Sequence, residues 1–262
     1  MDDISNFNQS KWDELVRKGV LYARPLLNLT PDTAREWLDP HGMLDDVSGK
    51  MVLCLASGGG KQSAAFGVLG AQVHVLDLSA EMLARDRQAA DHYGYPVDLQ
   101  HGDMRDLSRF ADRSFDIVFQ AYSINFVPDP RPVFREVARV IRPGGLYHLQ
   151  FHNPFFMGMG ETDWTGSAYP LTQPYINGAE IDVSDWEFED KQGRLVKMPG
   201  PREFRHTFSA VFNQLIEMGF LLAGFQEEVS QDATAAPGTW EHFLSLAPPW
   251  LFTWFSYRPG IL

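Results

Sequence analysis

Between Lys50 and Asn153, short apolar runs alternate with stretches of helical period, and this alternation limits the possible folds more than any other feature of the chain. Met51-Val52-Leu53-Cys54-Leu55 is an unbroken apolar run, the mark of a strand covered on both faces. Small residues after it read as a helix through Phe66 that stops near Gly70. Val73-His74-Val75-Leu76 is a second strand ending at Asp77, Val97-Asp98-Leu99-Gln100 a third ending at Gly102-Asp103, and Phe115 to Gln120 a fourth. Pro132 opens a helix with Val133, Phe134, Val137, Val140 and Ile141 at helical spacing, which Pro143-Gly144-Gly145 ends; Leu146 to Phe151 is a fifth strand. Strand and helix in this order predict a parallel sheet with helices on both faces, and right-handed crossovers make it doubly wound.

The flanks differ. Residues 1–48 read as helical, with a stripe at Trp12, Leu15 and Val16 and a second helix started by Thr30-Pro31-Asp32 that carries Trp37 and Leu38 on one face. Residues 154–205 break the rhythm with prolines, glycines and aromatics and read as an insertion over the carboxyl edge of the sheet. Phe208, Val211, Phe212, Leu215 and Ile216 then form an amphipathic helix closed by Gly219, and apolar segments near Leu221–Phe225 and Leu251–Tyr257 read as final strands. The formal net charge of -12 gives no overall attraction for a phosphate backbone, so nucleic acid is not an expected partner. One cysteine, Cys54, excludes an intrachain disulfide and a cysteine-rich zinc site. The acidic start and the lack of a long apolar run predict a cytoplasmic protein with no membrane association.

Ligands of a doubly wound sheet sit where loops leave the carboxyl ends of the strands. In the first such loop, Ala56-Ser57-Gly58-Gly59-Gly60-Lys61, small residues let a ligand approach the backbone at a helix start. Free N–H groups are expected to point outward there, which suits a carboxylate-bearing ligand. Asp77, 17 residues after Gly60, is placed to accept hydrogen bonds from a ribose diol. Asp103, at the tip of the third strand, is placed to take an adenine amino proton.

Several segments, in order, resemble the motifs of class I S-adenosylmethionine-dependent methyltransferases. Val52 to Gly60 resembles the first motif, Val75-Leu76-Asp77-Leu78-Ser79-Ala80-Glu81-Met82-Leu83 the second, and Gly102-Asp103-Met104 the third. Phe115-Asp116-Ile117-Val118 resembles the fourth, and Glu136 to Gly145 the helix and turn that follow. The nearest likeness is to small-molecule enzymes of the ubiquinone-biosynthesis type. The resemblance implies a Rossmann-like seven-stranded α/β sheet with its last strand antiparallel, to which the flanks read above add a helical N-terminal extension and an insertion after the fifth strand. With the flanks read above, the chain divides into an N-terminal helical lid (1–48), the cofactor-binding half (49–153), an acceptor cover (154–205) and the final helix and strands of the same domain (206–262). The resemblance implies S-adenosylmethionine as cofactor, held by Ala56, Ser57, Gly58, Gly60, Asp77, Leu78, Met82, Asp103, Met104, Ala121 and Tyr122. Two positions depart from the family: Cys54 stands where an acid is usual, and Ala56 where a glycine is.

Methyl transfer from a sulfonium to a small-molecule acceptor is an in-line displacement, so positioning supplies much of the rate. A base is needed only if the acceptor must lose a proton. His152, at the end of the fifth strand, and His206, before the late helix, are the candidates, with an ordinary hydrogen-bonded role open for each. Tyr22, Tyr169 and Tyr175 are candidates for an aromatic acceptor pocket, together with Trp12, Trp164 and Trp186. No His, Asp or Glu cluster has metal-ligand spacing. Two other readings compete. One is a nicotinamide-dependent oxidoreductase, whose glycine fingerprint fails at Ser63; the other is a non-catalytic cofactor-binding partner protein, which Cys54 keeps in view.

Overall fold

Caps set the first helices. In the computed structural model, which describes residues 2–181, 185–190 and 192–260, the Asp2 carboxylate accepts from the Ser5 amide and opens α1 (Asp3–Lys18). Gly19, with φ of 82°, closes it in the left-handed conformation. Thr30 and Thr33 form a reciprocal cap for α2 (Pro31–Leu38). Ala34 and Leu38 of α2 are buried while Trp37 is exposed, so the expectation that Trp37 and Leu38 share a face is corrected. Neighbours on a helix lie about 100° apart, and only one of the two can face the core.

The expected alternation follows: β1 (Met51–Leu55), α3 (Gln62–Val68), β2 (Gln72–Asp77), α4 (Ala80–Tyr93), β3 (Val97–His101), β4 (Phe115–Gln120), α5 (Arg131–Val140) and β5 (Ile141–His152). Pro143-Gly144-Gly145 does not end the helix. α5 stops at Val140, and β5 begins at Ile141 and runs through this turn, with a register shift against β4 between Phe115 and Ile117. Within residues 154–205, β6 (Glu180–Ile181) pairs with β9 (Glu203–Phe204), and β7 (Trp186–Glu189) with β8 (Leu195–Met198), as two small antiparallel ribbons. α6 (Phe208–Glu217) leads into β10 (Phe220–Glu227); α7 (Trp240–Leu246), absent from the sequence reading, precedes β11 (Trp250–Tyr257).

The seven-stranded sheet has the order β3-β2-β1-β4-β5-β11-β10, and β11 runs antiparallel to both of its neighbours. One face carries Leu53, Leu55, Tyr147, Leu149 and Phe151 against α5 and α6; the other carries Val52, Cys54 and Val75 against α2 and α3. A third cluster packs Leu15 and Val16 of α1 on Met82 of α4 and Met198 of β8. α1 and the inserted ribbons are thereby held over the carboxyl end of the sheet. No helix among the described residues is long and apolar enough to cross a membrane.

Candidate active site

The loops leaving β1 to β5 open into one cleft of about 1020 Å³. Ala56, Ser57, Gly58, Asp77, Leu78, Met82, Asp103, Met104, Ala121 and Tyr122 all line it; Gly60 lies behind the loop surface. α1 roofs the cleft with Ser5, Asn8 and Trp12.

The glycine loop is built differently from the expectation of free, outward N–H groups. The Gly58 amide donates to Asp77 Oδ2 at 2.8 Å. The Gly59 and Gly60 amides donate to Asp86 Oδ2 and Oδ1 at 2.9 and 3.0 Å, and the Ser63 hydroxyl donates to Asp86 Oδ1 at 2.5 Å. Asp86, fully buried on α4, thus organises the loop from beneath. Sequence reading missed it, because Arg85-Asp86-Arg87 looks like a solvated charge run. The signal was helical phase: Met82, Leu83, Asp86, Ala89 and Ala90 form the buried stripe of α4. Burial pushes the Asp86 carboxyl up to about 7, against the pull of Ser63 and the glycine amides.

The glycines are required by close approach. A Cβ at Gly58 would lie 2.7 Å from Met82 Cβ and 2.8 Å from Asp77 Oδ2, and one at Gly60 would strike the Arg85 carbonyl. Ala56, where the family has glycine, sits at φ of 46°, a conformation that disfavours any side chain. Cys54 is buried directly under the loop, and burial, then the neighbouring Asp86, pushes its thiol well up; it is not poised as a nucleophile.

Asp77 is buried, and its Oδ1 accepts from the Ser79 amide at 2.8 Å. Burial pushes its carboxyl up to about 6. Each oxygen keeps a further lone pair, and the side chain lines the cleft. Asp103 is more fully engaged: Arg105 reaches both of its oxygens, and Ser5 Oγ donates to Oδ2 at 2.7 Å. Arg105 also pairs with Asp2 at 2.7 Å. With Asn8 bonded to Phe126 O and Arg202 O, and Asp13 bonded to Ser79 Oγ at 2.6 Å, these contacts strap α1 across the cleft.

His152 lines the cleft beside Tyr122 and Trp250, with its Nδ1–H directed to the Asn153 carbonyl at 3.0 Å. Burial lowers its pKa to about 4, so the ring is neutral and weakly basic. His206 does not reach the cleft; it is fully buried and bonded to Ile124 O at 3.0 Å, which makes it a pin between α6 and the turn after β4. Tyr22 lines the cleft, 6.1 Å from the Trp186 ring. Tyr169 and Tyr175 are placed elsewhere. Tyr169 bonds His242 Nδ1 of α7 at 2.9 Å, and Tyr175 stacks on Phe155 at 4.7 Å; neither lines the cleft.

Sequence reading also missed Glu203. It comes into the cleft from β9, is 6% exposed, and accepts the Tyr122 hydroxyl at Oε2, 2.5 Å away. Around it stand Trp12, Trp186, Phe126 and Trp250. Exposed carboxylates at Asp163, Asp185, Glu187 and Glu228 rim the same cleft. Lys61 is the only lysine or arginine among the described residues that line it. No group of three His, Cys, Asp or Glu among the described residues is placed to hold a metal.

This arrangement fits an adenosyl cofactor: a glycine cradle that a Cβ would fill, a buried acid with spare lone pairs, and room for a second molecule. Residues 53–149 match the family described as a methyltransferase domain. The chain is 32% identical over 246 residues to the uncharacterized methyltransferase YbaJ of Bacillus subtilis, covering 87% of this chain and 92% of that protein. It is 29% identical to a tRNA 5-carboxymethoxyuridine methyltransferase of Escherichia coli O157:H7, covering 79% and 87% of the two chains. To a ubiquinone biosynthesis O-methyltransferase of Xanthomonas oryzae it is 31% identical, covering 56% and 63%. Among solved structures, an S-adenosylmethionine dependent methyltransferase from Mesorhizobium loti superposes with a TM-score of 0.57 at 23% identity, covering 86% of this chain and 99% of that one.

Proposed function

Because this chain belongs to the S-adenosylmethionine-dependent methyltransferases, we propose that its cleft holds the cofactor along the β1–β4 side and a small-molecule acceptor on the β5 side, under α1 and the inserted ribbons. When bound, the cofactor supplies an activated methyl group on a sulfonium. Asp77 accepts from the ribose hydroxyls with the lone pairs left by Gly58 and Ser79. Leu78 and Met82 wall the nucleoside, and Gly102, Asp103 and Met104 border the base. The loop amides are already taken by Asp77 and Asp86, so Lys61 provides the positive charge for the cofactor's carboxylate. Its ammonium, without an ion pair among the described residues, is held below the ordinary lysine range by burial and by Arg24.

One observation carries the small-molecule reading. The acceptor side is walled by aromatic rings and rimmed by carboxylates, on a chain of net charge -12. Nucleic-acid acceptors need basic contacts for their phosphates, and this surface repels them. The test is a methyl-tritium transfer assay offering purified tRNA and a protein-free small-molecule cell extract in parallel. Label is expected in the small-molecule pool; label in tRNA overturns the reading.

A further inference from the structure

Glu203 is a buried carboxylate with no cation paired to it among the described residues. The arginines on either side of it are engaged elsewhere. Arg202 pairs with Glu180 at 2.6 Å, and Arg205 is turned to the carbonyls of Pro174 and Met157. An uncompensated buried acid is costly, and a merely structural position would be better filled by an apolar residue. The backbone that carries it is nevertheless firmly held, by pairing of Ile181 with Glu203 and by Asn125 Nδ2 donating to Phe204 O at 3.0 Å. The fold therefore fixes an acid in an aromatic box.

The position of this acid is also specific. Its partner Tyr122 directly follows Ala121, whose amide donates to Ser57 Oγ of the glycine loop at 3.0 Å. Glu203 thus stands at the boundary between the two halves of the cleft. Trp12 and Trp186 meet edge to face at 5.7 Å, and Tyr122 and Trp250 at 4.6 Å, leaving flat apolar walls beside the carboxylate. The Tyr122 hydroxyl and the Trp186 indole are the donors already on it. A carboxylate has about four lone-pair sites, so acceptor capacity remains.

We propose that Glu203 binds the acceptor through the proton on its nucleophilic atom and receives that proton during transfer, so that the acceptor is an amine or hydroxyl compound with a flat apolar body and not a carboxylate. This rests on the small-molecule reading above. As the acceptor's lone pair forms the new bond to the methyl carbon, the electron pair of the C–S bond stays with sulfur. The N–H or O–H proton passes to Glu203, which becomes a neutral acid. The positive charge of the sulfonium and the negative charge of the carboxylate disappear together. Burial pushes the Glu203 carboxyl up to about 7, close to the pH at which such a base works best, whereas His152 beside it is held near 4.

The test uses two adenosyl ligands in which a tertiary amine replaces the sulfonium, one with a 2-aminoethyl arm and one with a propyl arm. Calorimetry on the intact protein should show the aminoethyl ligand bound at least about tenfold more tightly, as expected of a charge-assisted contact. Glu203→Gln should abolish that preference and leave S-adenosylhomocysteine affinity unchanged. Glu203→Asp, which draws the carboxylate back by one methylene, should weaken the preference and serves if the glutamine variant does not fold. Absence of the preference in the native protein, or its survival in Glu203→Gln, overturns the proposal. In the tritium assay the product label must also be stable to alkali, because an alkali-labile methyl ester would mark a carboxylate acceptor and overturn it too. The arm comparison needs no acceptor, so label in tRNA would sink the small-molecule reading without deciding this result.

Discussion

Replacing Asp86 by asparagine tests whether the glycine loop is held from beneath. Three donors converge on the carboxylate: the amides of Gly59 and Gly60, and the Ser63 hydroxyl. Asparagine keeps the shape but offers one carbonyl oxygen and one NH2 group. With the carbonyl toward Gly60 and Ser63, the NH2 faces the Gly59 N–H, donor against donor. One buried unsatisfied donor costs about 1–3 kcal/mol, and turning two charge-assisted bonds into neutral ones adds roughly 1 kcal/mol more. The expected loss is therefore about 2–4 kcal/mol. It should be read from urea unfolding near pH 8, where a carboxyl pushed up to about 7 is ionised in the native protein. S-adenosylhomocysteine affinity should fall with it, because Gly58 and Lys61 shift with the loop. A loss below about 1 kcal/mol with unchanged affinity would refute the idea that Asp86 organises the loop.

Four further outcomes are expected. Asp77→Ala removes the ribose acceptor and the anchor of the Gly58 and Ser79 amides, and calorimetry should show S-adenosylhomocysteine weakened at least about tenfold. Lys61→Met should weaken S-adenosylhomocysteine by about tenfold and leave 5′-methylthioadenosine, which lacks the carboxylate, unchanged; equal losses for both ligands would refute the carboxylate role. Cys54→Ala should retain cofactor affinity, whereas Cys54→Asp sets a second buried carboxylate against Asp86 and should lower the thermal midpoint sharply. Asp77, Asp86 and Glu203 all hold protons in the folded state that the unfolded chain has already released above about pH 4, so their contribution to stability is lost as pH rises through about 6–7. Urea midpoints should accordingly fall between pH 5 and pH 8, and Glu203→Gln should flatten part of that fall.

The sheet was legible because each of its first five strands is a local apolar run with its own punctuation. The same locality exposed Gly58, Asp77 and Met82, whose spacing along the chain mirrors their meeting in space. The count of seven strands and the antiparallel last strand came instead from the family resemblance. Acceptor-side residues were harder to read. Glu203 lies on a two-residue strand in an insertion whose packing depends on α1, the turn after β4 and β11, so no local pattern marks it. Tyr169 and Tyr175 share the composition of pocket residues but pack on α7 and on Phe155, and aromatic content does not distinguish the two roles. His206 was a candidate base because it stands just before the late helix, yet its ring is buried away from the cleft with Nε2 on the Ile124 carbonyl. The family resemblance carried the cofactor, and with it the methyltransferase reading displaced the nicotinamide one.

α1 lies over both halves of the cleft, with Ser5 beside Asp103 at one end and Trp12 against Trp186 farther along. One helix therefore borders both halves of the cleft. Leu15 and Val16 are anchored on Met82 and Met198, so a lifting of its first turns would open both halves together and couple the departure of one product to that of the other. The first turn of α1 is held by an ionic contact, where Arg105 joins Asp2 to Asp103. Stopped-flow release of S-adenosylhomocysteine should accelerate with added salt in the native protein. In Arg105→Ala it should be fast and indifferent to salt, and a slow, salt-insensitive release in the native protein would show that the helix is held elsewhere.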